Sequence, residues 1–131
     1  MLFPKLLGLA ERAWAKDPQW ANETDESAFN AAYNKAWNEF INTVSKRELP
    51  RLNFYHGGFG YRIPAAGAII ENGTVKANAQ LPGFTIKYTT NGSNPTIKSK
   101  TYTGPITEKG LIKICVFDNY GRSGRVVEIQ N

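Results

Sequence analysis

One cysteine and one histidine occur among 131 residues. Cys115 by itself excludes an intrachain disulfide, and His56 by itself excludes the usual zinc constellations, which draw on several Cys and His side chains. No stretch approaches the roughly 20 consecutive apolar residues that span a bilayer. The opening Met1-Leu2-Phe3-Pro4-Lys5 is not a secretory signal, because Lys5, Glu11 and Arg12 stand where the apolar region of a signal runs. A (β/α)8 barrel occupies about 250 residues and does not fit this length. What is present is ordinary for a globular chain, with 41% hydrophobic and 21% charged residues and neither repeats nor low-complexity tracts. Such a chain buries roughly two thirds of its unfolded surface, enough for one good core or two small ones.

The formal charge of +5 is unevenly spread. Residues 1–60 carry seven basic and seven acidic side chains, whereas residues 61–131 carry nine basic and four acidic ones. Two chemically different segments therefore meet near residue 60. The lysines of the second segment stand singly among Thr, Ile and Tyr, as on the solvent faces and edges of strands that resist pairing. The pattern is not the clustered basic patch that neutralises phosphates, so nucleic acid is not an expected partner.

Residues 3–16 read as a helix with Pro4 in its first turn and an apolar stripe of Leu6, Leu7, Leu9, Ala10, Ala13 and Trp14. Lys16-Asp17-Pro18 ends it. A second helix follows, capped by Asp25 or Ser27, with Phe29, Tyr33, Ala36, Trp37, Phe40, Ile41 and Val44 on one face. Lys46-Arg47 suit its negative end, and Leu49-Pro50 are expected to stop it. His56-Gly57-Gly58-Phe59-Gly60 reads as a flexible connector. From Tyr61 the period becomes two, with strands expected at 68–71, 74–79, 84–89, 111–117 and 125–129 and an edge piece near 99–102. Asn72-Gly73, Leu81-Pro82-Gly83, Asn91-Gly92, Gly104-Pro105 and Asn119-Tyr120-Gly121 supply turn chemistry between them. The expected fold class is α+β: a helical segment of two main helices over 1–50, a linker over 51–60, and a small antiparallel immunoglobulin-like β-sandwich over 61–131.

The chemistry-bearing residues do not assemble into a catalytic pattern. A phosphate loop needs its glycines between a strand and a helix, whereas a helix precedes and a strand follows Gly57-Gly58. Cys115 lies inside the apolar strand 111–117, the setting of an inert buried thiol. Glycoside hydrolysis needs a pair of carboxylates. Glu71, Glu108, Asp118 and Glu128 each fall at a strand end or turn, where solvated side chains are expected. The aromatics Trp14, Phe29, Tyr33, Trp37 and Phe40 sit on apolar helical faces suited to packing. That leaves Tyr120, Tyr61 and Phe59 as the candidate sugar contacts; no catalytic, cofactor-binding or metal-binding residue is expected.

Two segments carry a family resemblance. Phe3-Pro4-Lys5-Leu6-Leu7-Gly8-Leu9-Ala10-Glu11-Arg12-Ala13-Trp14 resembles the last helix of the catalytic barrel in family 20 glycoside hydrolases, the β-N-acetylhexosaminidases. Tyr61-Arg62-Ile63-Pro64-Ala65-Ala66-Gly67-Ala68, the stretch from Leu81-Pro82-Gly83 to Asn94-Pro95-Thr96, and Tyr120-Gly121-Arg122-Ser123-Gly124-Arg125 resemble the C-terminal sandwich domain of the chitobiase-like members. Lys5 stands where the family places Arg, Ala65-Ala66 where it places a proline pair, and Gly124 interrupts a Ser-Arg sequence.

The resemblance implies the C-terminal portion of an enzyme that removes terminal N-acetylhexosamine with retention, assisted by the substrate's acetamido group. The family's acid/base Glu and adjacent Asp lie in a His-x-Gly-Gly-Asp-Glu motif that His56-Gly57-Gly58-Phe59 does not reproduce, so none of its catalytic residues maps here. The expected partner is the catalytic barrel of the parent, with weak glycan contact as the alternative role. Without a barrel, the stripe of Leu2, Phe3, Leu6, Leu9 and Trp14 is expected to fold back on the second helix or the sandwich, or to drive self-association. The implied compartment of the parent is periplasmic or extracellular, with its signal outside this chain.

Overall fold

Asp25 starts the longest helix: its carboxylate accepts the Ala28 main-chain N–H at 2.7 Å, satisfying one of the donors that a helix start leaves open. The computed structural model describes residues 3–131, with side chains from Lys5 onward. Leu2 and the side chains of Phe3 and Pro4, counted above in the first helix, lie outside that description. The chain divides into two compact units, Met1–Tyr61 and Arg62–Asn131.

In the first unit, α1 (Phe3–Trp14) and α2 (Glu26–Thr43) are joined through a 3-10 turn at Gln19–Asn22. Leu49-Pro50 do not end the helical path. A wider π turn, Val44–Glu48, follows α2 directly and leads into a short α3, Leu49–Leu52. In a regular α-helix the proline ring clashes with the carbonyl four residues earlier and has no N–H to donate. The extra residue in the turn ahead of Pro50 changes which carbonyls face the ring. Leu49 N–H accordingly reaches back five residues to the Val44 carbonyl, and the Ser45 hydroxyl donates to the Ile41 carbonyl.

The expected connector is a hydrogen-bonded turn. His56, Gly57 and Gly58 all take positive φ, at 47°, 83° and 100°. Phe59 N–H donates to the Leu52 carbonyl at 2.7 Å and Gly58 N–H to the Tyr55 carbonyl at 2.8 Å, folding the chain back on the end of α3. Glycine is required at 58, where a Cβ would stand 2.9 Å from the Asn53 carbonyl oxygen.

The second unit is the expected small antiparallel β-sandwich. Strands β1 (Gly67–Glu71) and β2 (Thr74–Asn78) form a hairpin across Asn72-Gly73, both at positive φ as a tight two-residue turn requires. Strands β3 (Thr85–Thr89), β4 (Lys100–Thr101), β5 (Leu111–Phe117) and β6 (Val127–Gln130) form a second sheet in the order β4-β3-β5-β6. Tyr88 pairs with Ile114 and Ile112 with Ile129, so the alternate residues Ile112, Ile114 and Val116 share one face of β5. The two sheets join where Val75 and Ile106 exchange main-chain hydrogen bonds, at 2.8 and 2.9 Å, and where the Tyr102 hydroxyl accepts from Ala77 N–H. Val75, Ile86, Ile106, Ile112, Ile114 and Val116 belong to the buried core of this unit, together with Ile63, Ala66, Cys115 and Phe117.

Candidate functional site

The helical unit presents two dissimilar surfaces because α1 packs with the side opposite its apolar stripe. At about 100° per residue, Gly8, Glu11 and Arg12 share one side of α1, while Leu6, Leu9, Ala10 and Ala13 share the other. The small, polar side meets α2: a Cβ on Gly8 would lie 3.8 Å from the Phe40 ring, and the Arg12 guanidinium sits 5.9 Å from the centre of the Trp20 ring. The apolar side is largely uncovered, with Leu9 65% exposed, and Trp14, at the end of the helix between the two sides, is 84% exposed. Of the stripe expected to fold back or to drive self-association, Leu6, Leu9 and Trp14 are exposed, while Leu2 and the Phe3 side chain lie outside the described residues.

The aromatics of α2 gather around Trp20, a residue without a role in the sequence reading. Its ring stands edge-on to Phe29 at 5.9 Å and to Tyr33 at 5.3 Å; Tyr33 stacks on Phe29 at 6.0 Å, and Trp37 leans on Phe40 at 5.9 Å. These rings pack on one another, as their place on an apolar helical face leads one to expect, yet none of the residues of α2 is buried. Between α1 and α2 lies a groove of about 300 Å³ whose lining includes Trp20, Tyr33, Trp37, Phe40, Glu11 and Arg12.

In the second unit, Asp118 departs from the solvated turn carboxylate anticipated for it. Only 3% of it is exposed. Its Oδ1 accepts the main-chain N–H groups of Tyr120 and Arg122, each at 2.9 Å, and its Oδ2 takes the Arg122 guanidinium at 2.8 Å from Nε and 2.7 Å from Nη2. The carboxylate serves as the internal template of the loop after β5 and is fully engaged.

The other three carboxylates are surface groups in ion pairs: Glu71 with Lys76, Glu108 with Lys100 at 3.4 Å, and Glu128 with Lys113 at 2.9 Å. Hydrogen bonding to its own main-chain N–H, helped by Lys100, holds the Glu108 carboxyl below the usual range, the reverse of what a general acid needs. Burial pushes the Cys115 thiol up, away from the thiolate that a nucleophile requires. Among the described residues no group of three His, Cys, Asp or Glu is placed to hold a metal ion.

The candidate sugar contacts fall in different places. Phe59 is half-buried and Tyr61 buried, both in the first unit, while Tyr120 is 53% exposed on the loop that Asp118 shapes in the second. A buried ring such as Tyr61 presents no open face for stacking. Phe54 and Tyr55, which have no role in the sequence reading, are more open to solvent than either hinge aromatic.

An α+β chain with a helical segment followed by a small antiparallel sandwich is the class that this architecture defines. The chain belongs to the chitobiase/β-hexosaminidase C-terminal domain family, whose model matches residues 48–126. It is 34% identical over 103 residues to an N,N'-diacetylchitobiase of Vibrio harveyi, a match covering 72% of this chain and 11% of that protein. It is 29% identical over 146 residues to a beta-hexosaminidase of Vibrio vulnificus, covering 98% of this chain and 17% of the relative. The chain thus spans less than a fifth of the length of these curated relatives. No helix among the described residues is long and apolar enough to cross a membrane.

Proposed function

We propose that this chain is the non-catalytic C-terminal portion of a β-N-acetylhexosaminidase and that α1 docks it onto the catalytic barrel of that enzyme. The observation carrying the reading is the largely uncovered stripe of α1, with Leu9 65% exposed, in a chain similar over 98% of its length to a small fraction of a much longer hexosaminidase. Burying each large apolar side chain of that stripe contributes about 1.5–3 kcal/mol, so a few of them suffice to hold a helix against a barrel. The parent acts on terminal N-acetylhexosamine of glycans in a periplasmic or extracellular setting. The residues 1–50, 51–60 and 61–131 serve as docking segment, linker and sandwich. A second reading, a glycan-binding accessory module, draws on Tyr120, whose exposed ring sits on a loop that Asp118 holds in shape.

Two assays test the first reading. The 131-residue chain alone should release no nitrophenol from p-nitrophenyl N-acetylglucosaminide, whereas the enzyme that contains it should. Within that enzyme, Leu9→Asp should lower the melting temperature of the catalytic portion. Turnover by the chain alone, or an unchanged melting temperature, would overturn the proposal.

A further inference from the structure

The groove between α1 and α2 lies on the side of α1 opposite the stripe that docks, so docking through Leu9 leaves it open. Its lining combines two kinds of contact. Tyr33 and Trp37 are 41% and 47% exposed and offer aromatic surface; Glu11 and Arg12 stand at the rim as an ion pair, the guanidinium donating to both carboxylate oxygens and keeping its remaining N–H groups for a ligand. The rings are held by neighbours instead of moving freely, Tyr33 between Trp20 and Phe29, and Trp37 against Phe40. At about 300 Å³ the groove is at the small end of ligand pockets, the size for one or two compact rings.

A pyranose suits such a lining because one of its faces is a patch of C–H groups and its edge is a ring of hydroxyls. The apolar face covers an aromatic ring, and the edge hydroxyls pair with a carboxylate and a guanidinium. An N-acetyl substituent adds a methyl group for the tryptophan surface and an amide for hydrogen bonding. We infer that the α1–α2 groove binds an N-acetylhexosamine unit of a glycan, with Trp37 and Tyr33 covering the sugar face and Arg12 and Glu11 holding its polar edge. The choice of N-acetylhexosamine over other sugars rests on the hexosaminidase reading above; the groove itself does not.

Titrating the 131-residue chain with N,N'-diacetylchitobiose, and with cellobiose as the sugar lacking acetamido groups, tests the inference by NMR shifts and calorimetry. Saturable binding at about millimolar Kd is expected for the first sugar and markedly weaker binding for the second. Trp37→Ala and Arg12→Gln should each weaken it about fivefold or more, since each removes one contact, while Lys98→Ala, exposed in the second unit, leaves it unchanged. Both altered side chains are exposed and α2 has no buried residue, and circular dichroism checks that the helices persist. Absence of saturation, indifference to both groove substitutions, or loss of binding in Tyr120→Ala would overturn the groove as the site. Equal binding of the two disaccharides would overturn the N-acetylhexosamine assignment. Hexosaminidase activity of the enzyme containing the chain is read separately, so a failed groove and a failed parent assignment give different results.

Discussion

Asp118 holds Arg122 twice, once by its main-chain N–H at 2.9 Å and once by its guanidinium at 2.8 and 2.7 Å. One buried carboxylate thereby fixes both the backbone and the side chain four residues later. The geometry converts Asn119-Tyr120-Gly121 from a generic turn into a single shape, with Gly121 at φ 79° and Tyr120 turned to solvent.

Removing that carboxylate strands two main-chain N–H groups and the guanidinium together. Asp118→Ala should destabilise the second unit by about 2–3 kcal/mol, and Asp118→Asn, which keeps an acceptor, by about half as much. Urea unfolding followed by near-ultraviolet circular dichroism measures the difference. Equal stability of Asp118→Ala and the unmodified chain would show that the loop is held by other contacts.

The uncovered stripe of α1 bears on the solution state of the chain in isolation. Leu9 and Trp14 offer apolar surface that a second copy can cover, so the isolated chain should self-associate at high concentration. Leu9→Asp should return it to the monomer mass in light scattering. A monomer at all concentrations would remove self-association while leaving docking to a barrel as a separate matter.

Two glycines are placed where a methyl group has no room. At Gly124 a Cβ would stand 2.8 Å from the Pro64 carbonyl oxygen and 3.0 Å from that of Ile63, so Gly124→Ala should cost about 1–3 kcal/mol through forced backbone movement. Gly58→Ala combines a similar clash with positive φ and should cost the first unit about 2 kcal/mol. Gly104→Ala, with open space around the new methyl group and no positive φ, is the control expected to change stability little. Thermal melts of the three variants rank them.

Cys115 supplies a pH dependence. Burial raises its thiol pKa in the folded chain relative to the unfolded one, so the unfolded state releases the proton first. The contribution to stability is therefore intact below the ordinary free-thiol range and declines as pH rises through it, above about 8.5. Cys115→Ala should lose that part of the alkaline decline, as unfolding midpoints at neutral and alkaline pH would reveal. The native thiol should also react with Ellman's reagent far more slowly than the denatured one. Equal rates would contradict its burial.

Local chemistry was legible along most of the chain. Period two and the Asn72-Gly73 pair predict β1 and β2 to within a residue, because a two-residue turn with positive φ dictates the register of the strands it joins. The expected strand at 111–117 has the observed bounds, since a seven-residue apolar run between turn signals has few alternatives. At Pro50 the local rule misled: proline is read as a stop, yet one extra residue in the preceding turn lets the helical path continue. Permissive glycines at 57, 58 and 60 suggest a loose hinge, whereas bonds to Leu52 and Tyr55 close it into a defined turn.

By itself, then, the sequence determined what each segment does alone: caps, turns, strand register and the family motifs within residues 48–126. Tertiary structure alone decided which surfaces meet. Periodicity marks one face of α1 as apolar but says nothing of what covers it, and it is the other face, with Gly8 beside the Phe40 ring, that α1 turns to α2. Trp20 becomes the centre of an aromatic cluster and Asp118 a buried template for the same reason. Burial belongs to a pair of surfaces brought together in space, and no single stretch of sequence carries both.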